Sequence, residues 1–170
     1  MIKLKNRAIF LDRDGVINFD RDDYVKSIDE LILIPNVADT LNKLKKMGYY
    51  LVIISNQSAV GRGIISKKDL EKINEYLINE LQKLDCNIDG LYYCPHIPSE
   101  NCECRKPKDA LFRKAARELD IDLDCSWMIG DKESDSIAGQ RAGCKTFRIN
   151  RNGSLFEAVS YIENSGNEVK

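Results

Sequence analysis

The chain has 170 residues, a length that favours one domain, residues 1–170, with a core large enough to fold without disulfides. Its formal net charge is -1 and its pI about 5.9, which argues against a nucleic-acid-binding or anionic-membrane surface. No apolar run approaches the length of a membrane span or of a signal-peptide core, so we expect a cytoplasmic protein with no membrane partner.

Apolar runs typical of strands alternate with amphipathic patterns typical of helices. Ser66 is a candidate N-cap of the longest helix, because Asp69 stands three residues on. The predicted strands cover residues 8–11, 49–54, 91–93, 127–129 and 146–149, and the predicted helices cover 37–47, 66–84, 110–119, 134–142 and 154–163. This alternation predicts an α/β fold, in which right-handed crossovers build a single doubly wound, Rossmann-like parallel sheet flanked by helices.

Four polar segments directly follow predicted strands. They are Asp12–Asp14, Ser55–Gln57, the loop 94–107 and Gly130–Asp131. In parallel sheets ligands bind just beyond the carboxyl ends of the strands, so these segments are expected to meet at one edge. Their convergence indicates a functional site more strongly than any one of them does alone.

Asp12 and Asp14 are separated by one residue after the first predicted strand. Two carboxylates this close repel each other, and a divalent cation relieves the repulsion. Mg²⁺ prefers one or two carboxylates together with phosphate oxygens and water, and Asp131 is a candidate further ligand. An ordinary turn is the alternative interpretation. A calcium loop is not supported, because such loops have glycine sixth and Gly15 is fourth.

Two further segments offer groups that suit a phosphate. Ser55 and Asn56 supply a hydroxyl and an amide at a strand end. Arg105 and Lys106 precede a predicted helix, where a fixed cation would neutralise a phosphoryl group and favour a charged nucleophile. Taken singly, these residues also fit a polar turn and solvated surface charges. Asp135 fits an acidic partner for the dipole of a helix N-terminus.

The loop 94–107 carries the sharpest local pattern. Cys94 and His96 form a Cys-x-His pair, and Cys102 and Cys104 form a Cys-x-Cys pair. These four ligands would close a tetrahedral Zn²⁺ site with no open position, so we expect a structural zinc that holds a loop without a core. Clustered thiols in a cytosolic chain favour metal binding over disulfides. The alternative is incidental thiols beside a surface histidine.

His96 is the only histidine of the chain, and the expected zinc site would use it. Any proton transfer must therefore rely on carboxylates or on lysine. The sequence has no Gly-x-Ser-x-Gly, P-loop or Gly-x-Gly-x-x-Gly motif, which argues against the enzyme classes that depend on them.

The chain resembles the haloacid dehalogenase superfamily over about residues 7 to 150. Within that superfamily it is most similar to the heptose-bisphosphate phosphatases and the histidinol-phosphate phosphatases, a subgroup marked by the cysteine loop. The stretches that carry the resemblance are Phe10–Gly15, Ile54–Ser58, Cys104–Pro107 and Ile129–Lys132. The subgroup lacks a large cap domain, so the loops, including the zinc loop, are expected to shape the pocket.

The resemblance implies a role for each matching residue. Asp12 would attack phosphorus to form an aspartyl-phosphate, and Asp14 would protonate the leaving alkoxide and later activate water. Catalytic Mg²⁺ would be bound by Asp12, the main-chain carbonyl of Asp14, and Asp131. Ser55 would bind the phosphoryl oxygens and Lys106 would hold nucleophile and phosphate together. The substrate would face Asn56 and Arg105.

Two segments depart from the pattern of the heptose phosphatases. Asp22–Tyr24 stands where a His-Gly-Tyr type stretch is usual, and Ser58–Gly63 where Ser-Gly-Ile-Ala-Arg-Gly is usual. The zinc loop is also a compact version, and none of these departures removes a catalytic group. The leading expectation is a monomeric enzyme that removes the C7 phosphate of heptose 1,7-bisphosphate, a small phosphorylated sugar. The alternatives are a histidinol-phosphate phosphatase and, from another class, an inactive zinc-stabilised binding protein.

Overall fold

Five parallel strands form the central sheet of the computed structural model, which describes residues 5–167. The strands are β1 (Arg7–Leu11), β2 (Tyr49–Asn56), β3 (Gly90–Cys94), β4 (Trp127–Gly130) and β5 (Lys145–Arg148). Their order in the sheet is β3-β2-β1-β4-β5, and every neighbouring pair is parallel. The predicted doubly wound parallel sheet is therefore confirmed.

The chain reverses its direction of travel across the sheet once. It moves outward from β1 through β2 to β3, then crosses back so that β4 pairs with the other side of β1. In open α/β sheets this switch point opens a crevice at the carboxyl ends of the two strands, where ligands bind. Asp12 follows β1 and Asp131 follows β4, so both residues lie at that crevice.

Helices connect the strands on both faces of the sheet. They are α1 (Val37–Lys46), α2 (Ser58–Gly61), α3 (Lys67–Lys83), α4 (Ala110–Glu118), α5 (Glu133–Ala142) and α6 (Phe156–Asn167), with short 3-10 turns at Ile28–Glu30 and Pro98–Glu100. The single turn α2 was not predicted, because four residues are too few to show a helical period. No helix within residues 5–167 has the length and apolar character needed to cross a membrane.

Local sequence signals account for the start of α3 and the end of α5. The Ser66 hydroxyl accepts a hydrogen bond from the Asp69 amide at 3.1 Å, and the Asp69 carboxylate accepts one from the Ser66 amide at 3.2 Å. This reciprocal pair satisfies two amides that α3 itself cannot. Gly143 ends α5 with φ +101°, a left-handed conformation that favours glycine.

Alternate residues of the strands face two separate hydrophobic clusters. Ile9 and Leu11 of β1 pack with α1, α3 and α6, whereas Ala8 and Phe10 pack with α4 and α5. All four side chains are fully buried. Because both faces of β1 are covered, the position at which the chain leaves the strand, and with it Asp12, is fixed by the core.

Candidate active site

A cleft of about 540 Å³ opens at the carboxyl ends of the strands. It is bounded by the residue that follows β1, the loop after β2, the loop 94–107 and the start of α5. Asp12, Asp14, Asn56, Arg105, Lys106 and Asp135 are among its lining residues. The predicted convergence of polar strand ends is thus found in the structure.

Lys106 lies between two buried carboxylates. Its ammonium group is 3.0 Å from Asp12 Oδ1 and 2.7 Å from Asp135 Oδ1, and it donates to the Ile54 carbonyl at 2.7 Å. Burial raises the pKa of Asp12 to about 6, although the Lys106 charge acts in the opposite direction. Burial also works against the charge of Lys106, but the two carboxylates outweigh it and raise the pKa of the ammonium group. Lys106 therefore stays cationic and favours the ionised form of Asp12.

Asp12, Asp131 and Asp135 form a cluster of carboxylates that suits a divalent cation. One oxygen from each lies within 4.8 Å of the others. Asp131 Oδ1 is buried and accepts no hydrogen bond from the protein, so it is available to a ligand. Gly15 keeps this space open, because a Cβ on Gly15 would stand 2.6 Å from Asp131 Oδ2. These carboxylate donors are the type that Mg²⁺ prefers.

The Asp14 side chain lies outside that cluster. Arg13 donates from Nε and Nη2 to its two oxygens at 3.1 and 3.0 Å, while Asn18 and Gln57 donate at 2.9 and 2.7 Å. Burial alone would raise the pKa of Asp14, but the Arg13 charge and these hydrogen bonds lower it overall. The surroundings of Asp14 therefore favour its ionised form in the substrate-free protein.

The predicted phosphate-binding residues take different positions. Asn56 forms two hydrogen bonds with the Lys106 main chain, at 3.1 and 3.0 Å. Ser55 is buried and accepts a hydrogen bond from Gln57 at 2.7 Å. Arg105 lines the cleft and donates to the His96 carbonyl at 3.0 Å. The Asn56 amide thus holds the Lys106 peptide; contact of Ser55, Asn56 and Arg105 with a substrate stays a prediction.

Cys94, His96, Cys102 and Cys104 converge beside the cleft. Cys104 Sγ lies 3.0 Å from Cys94 Sγ and 3.2 Å from His96 Nδ1, and Cys102 Sγ lies 3.5 Å from Cys94 Sγ. Four ligand atoms so close, with no disulfide among them, form a possible metal site. The predicted loop 94–107 is one residue shorter in the structure, because Cys94 is the last residue of β3.

Two buried residues of the site were missed by the sequence analysis. Asp135 was interpreted as a helix-dipole partner, yet it is fully buried and pairs with Lys106. Its position four residues after Asp131, in the first turn of α5, was the available signal. Arg13 was passed over as the variable residue between Asp12 and Asp14, although it is only 1% exposed.

A family model matches the part of the chain that carries these groups. The model of the haloacid dehalogenase-like hydrolases matches residues 3–143. The chain belongs to this family. Asp12 after β1, Lys106 after β3 and Asp131 after β4 all lie within the matched residues.

The similar proteins include several heptose-bisphosphate phosphatases. The chain is 48% identical over 159 residues to the D-glycero-beta-D-manno-heptose-1,7-bisphosphate 7-phosphatase of Helicobacter pylori J99, covering 93% of this chain and 91% of the relative. It is 44% identical to the Haemophilus influenzae enzyme of the same name, covering 87% and 83%. The crystal structure of the D,D-heptose 1,7-bisphosphate phosphatase of B. bronchiseptica, complexed with magnesium and phosphate, superimposes with a TM-score of 0.79 at 35% identity, covering 84% and 79%.

Proposed function

We propose that this protein is a magnesium-dependent phosphatase that removes the C7 phosphate of D-glycero-D-manno-heptose 1,7-bisphosphate, on the route to activated heptose for surface polysaccharides. The observation that carries the proposal is Asp12, a buried carboxylate at the switch point, held 3.0 Å from Lys106 beside two further acids. The named relatives cover almost the whole chain, which extends the same activity to it.

Asp12 is the proposed nucleophile. Its carboxylate attacks phosphorus, an Asp12–phosphorus bond forms, and the bond between phosphorus and the C7 oxygen breaks. Asp14 gives its proton to the departing oxygen. In the second half, a water molecule attacks the aspartyl-phosphate, Asp14 takes the water proton, and phosphate leaves as Asp12 is regenerated.

Asp14 must carry a proton for the first half of this cycle. In the substrate-free protein Arg13 and the surrounding amides lower its pKa, which suits the later role as base. The dianionic phosphate of a bound substrate acts in the opposite direction, since nearby negative charge raises the pKa of a carboxyl group. Substrate binding and protonation of Asp14 are therefore coupled.

The proposed Mg²⁺ ligands are the side chains of Asp12 and Asp131 and the main-chain carbonyl of Asp14. Asp135 is the third acid of the same cluster and adds negative charge beside the metal. When bound, Mg²⁺ offsets the negative charge on the transferring phosphoryl group. Lys106 shares that task and keeps the nucleophile next to the phosphate, and Ser55 binds the phosphoryl oxygens.

The cysteine cluster is proposed to bind a structural Zn²⁺. Arg105 and Lys106 directly follow Cys104, so a metal on Cys104 restrains the segment that brings both cations to the cleft. In this proposal Arg105 faces the part of the sugar far from the reaction, and Asn56 keeps the Lys106 peptide in place.

The test compares phosphate release from the α and β anomers of heptose 1,7-bisphosphate and from histidinol phosphate, with and without Mg²⁺, alongside Asp12→Asn. We expect metal-dependent turnover of the heptose substrate, with the β anomer preferred as the names of the relatives suggest, and none in the variant. A preference for histidinol phosphate would be consistent with the proposed reaction but would refute heptose 1,7-bisphosphate as the substrate. No turnover of any compound would refute the enzyme and favour an inactive zinc-stabilised binding protein.

A further inference from the structure

Helix α3 carries a buried polar residue that the proposed chemistry does not use. Asn74 lies on the buried stripe of α3 with Leu70, Ile73 and Leu77, and only 7% of it is exposed. A polar side chain in a hydrophobic stripe is unfavourable unless its hydrogen bonds are satisfied. Its carbonyl oxygen accepts a hydrogen bond at 2.9 Å from Arg13 Nη1, a group 61 positions away in the chain.

Arg13 connects this helix to the proposed acid-base group. Its guanidinium is almost completely buried and donates from Nη1 to Asn74, while Nε and Nη2 donate to the two oxygens of Asp14. A guanidinium is planar and rigid, so fixing one of its nitrogens fixes the direction of the other two. The orientation of the Asp14 carboxylate therefore depends on where α3 holds Arg13.

We propose that Asn74 is a positioning residue of the reaction, which acts through the Arg13 guanidinium to orient the Asp14 carboxylate. The inference rests on the role given to Asp14 in the proposed function. Removal of the Asn74 oxygen leaves a buried N–H of Arg13 without a partner, and Arg13 must turn to find another. Turning Arg13 breaks the two-point contact with Asp14, and a proton donor displaced by even ~1 Å loses much of its effect.

The test uses substrates that differ in their need for Asp14. An alkyl phosphate, such as the heptose bisphosphate or glycerol phosphate, needs a proton on its leaving oxygen, whereas p-nitrophenyl phosphate has a leaving group that departs without one. Hydrolysis of the aspartyl-phosphate needs Asp14 as base with either substrate. The specificity constant kcat/KM reports steps up to leaving-group departure only, because the phosphate ester bond is broken irreversibly there.

Asn74→Leu keeps the approximate size of the side chain and removes the acceptor. We expect kcat/KM for the alkyl phosphate to fall by roughly 10-fold or more, given the typical contribution of positioned acid-base groups. For p-nitrophenyl phosphate, kcat/KM should stay within about threefold while kcat and KM fall together, because phosphoenzyme accumulates. Asn74→Asp, which keeps an acceptor, should restore the alkyl activity.

Two controls separate positioning from a structural role. Ile73→Val loosens the packing of the same helix and removes no hydrogen-bonding group, so the ratio of alkyl to aryl kcat/KM should not change. In an Asp14→Asn background, Asn74→Leu should have no further selective effect on the alkyl phosphate, since the group it orients is absent. Equal losses with both substrates, or an equal effect in that background, would overturn the inference.

The same measurements distinguish a failure of the proposed function from a failure of the role of Asn74. Wild-type protein that hydrolyses glycerol phosphate but not heptose bisphosphate would refute the substrate, and the ratio measured with glycerol phosphate would still test Asn74. Wild-type protein active on heptose bisphosphate, with an unchanged ratio in Asn74→Leu, would refute the role of Asn74 alone.

Discussion

The carboxylate cluster and the cysteine loop lie side by side, yet the protein builds them in different ways. Asp12, Lys106 and Asp135 are 5%, 3% and 0% exposed, and the core behind β1 and the start of α5 supports the two acids. In the loop 94–107 only Cys94 belongs to a strand, and His96, Cys102 and Cys104 are half-buried. The fold itself holds the first cluster, whereas in our proposal a bound metal holds the second.

The two regions are joined at Lys106. It follows Cys104 by two residues, and its ammonium group ends between Asp12 and Asp135. The difference between the regions therefore predicts different losses when each is disturbed. Changes of the acids should act mainly on activity and changes of the cysteines mainly on stability, whereas a change of Lys106, which belongs to both regions, should lower both.

Lys106→Met should give the largest effect, because it removes the joining residue. Two buried carboxylates are left without their shared cation, which costs about 3–5 kcal/mol in the free energy of unfolding. Turnover should fall by about 10²-fold or more, as for other losses of a group that stabilises transition-state charge. Denaturant unfolding and phosphate release measure the two losses. Lys108→Met is the matched control, since its ion pair with Glu103 is at the surface and worth under about 1 kcal/mol.

Cys104→Ser should weaken the second region. We expect loss of bound zinc by elemental analysis and a fall of more than about 2 kcal/mol in stability, or roughly 4–8 °C in the thermal midpoint. Activity should fall as well, since Lys106 loses a restraint two residues away. Cys125→Ser changes an exposed cysteine outside the cluster and should leave zinc content and midpoint unchanged. Retention of zinc and of the midpoint in Cys104→Ser would contradict the structural role.

Gly15→Ala tests the space around Asp131. The added Cβ would stand 2.6 Å from Asp131 Oδ2, at a φ of +88° that itself disfavours alanine. The backbone strain is about 1–3 kcal/mol, and we expect the Mg²⁺ concentration for half-maximal activity to rise. Gly63→Ala is the matched control, because φ is +69° there but no atom lies within 4 Å of the added Cβ. An equal Mg²⁺ requirement in the two variants would show that only the backbone matters.

Ser66→Ala should give the smallest effect and calibrates the others. It removes the cap of α3, a residue that belongs to neither cluster, and should lower stability by about 1 kcal/mol with no change in zinc content. Ser99→Ala, at an exposed serine, should leave the unfolding midpoint unaltered. A change in zinc content in Ser66→Ala would mean that the cysteine site depends on general stability, and would weaken the comparison.

Much of the site could be predicted because its residues follow strands. Asp12, Ser55 and Asp131 each come directly after or at the end of a buried apolar run, and parallel strands bring their carboxyl ends to one edge. The cysteine pairs could be predicted from spacing alone, since few other patterns bring four such ligands together. The capping box at Ser66 is equally local, because both its hydrogen bonds lie within three residues.

Local patterns by themselves determined the strand and helix alternation, the polar strand ends and the grouping of four candidate metal ligands within residues 94–104. Only the tertiary structure decided that Asp135 is a buried partner of Lys106, and that Arg13 ties Asp14 to Asn74. The reason is physical. A charged residue looks the same in sequence whether water or a distant side chain solvates it, and these partners lie 29 and 61 positions apart in the chain.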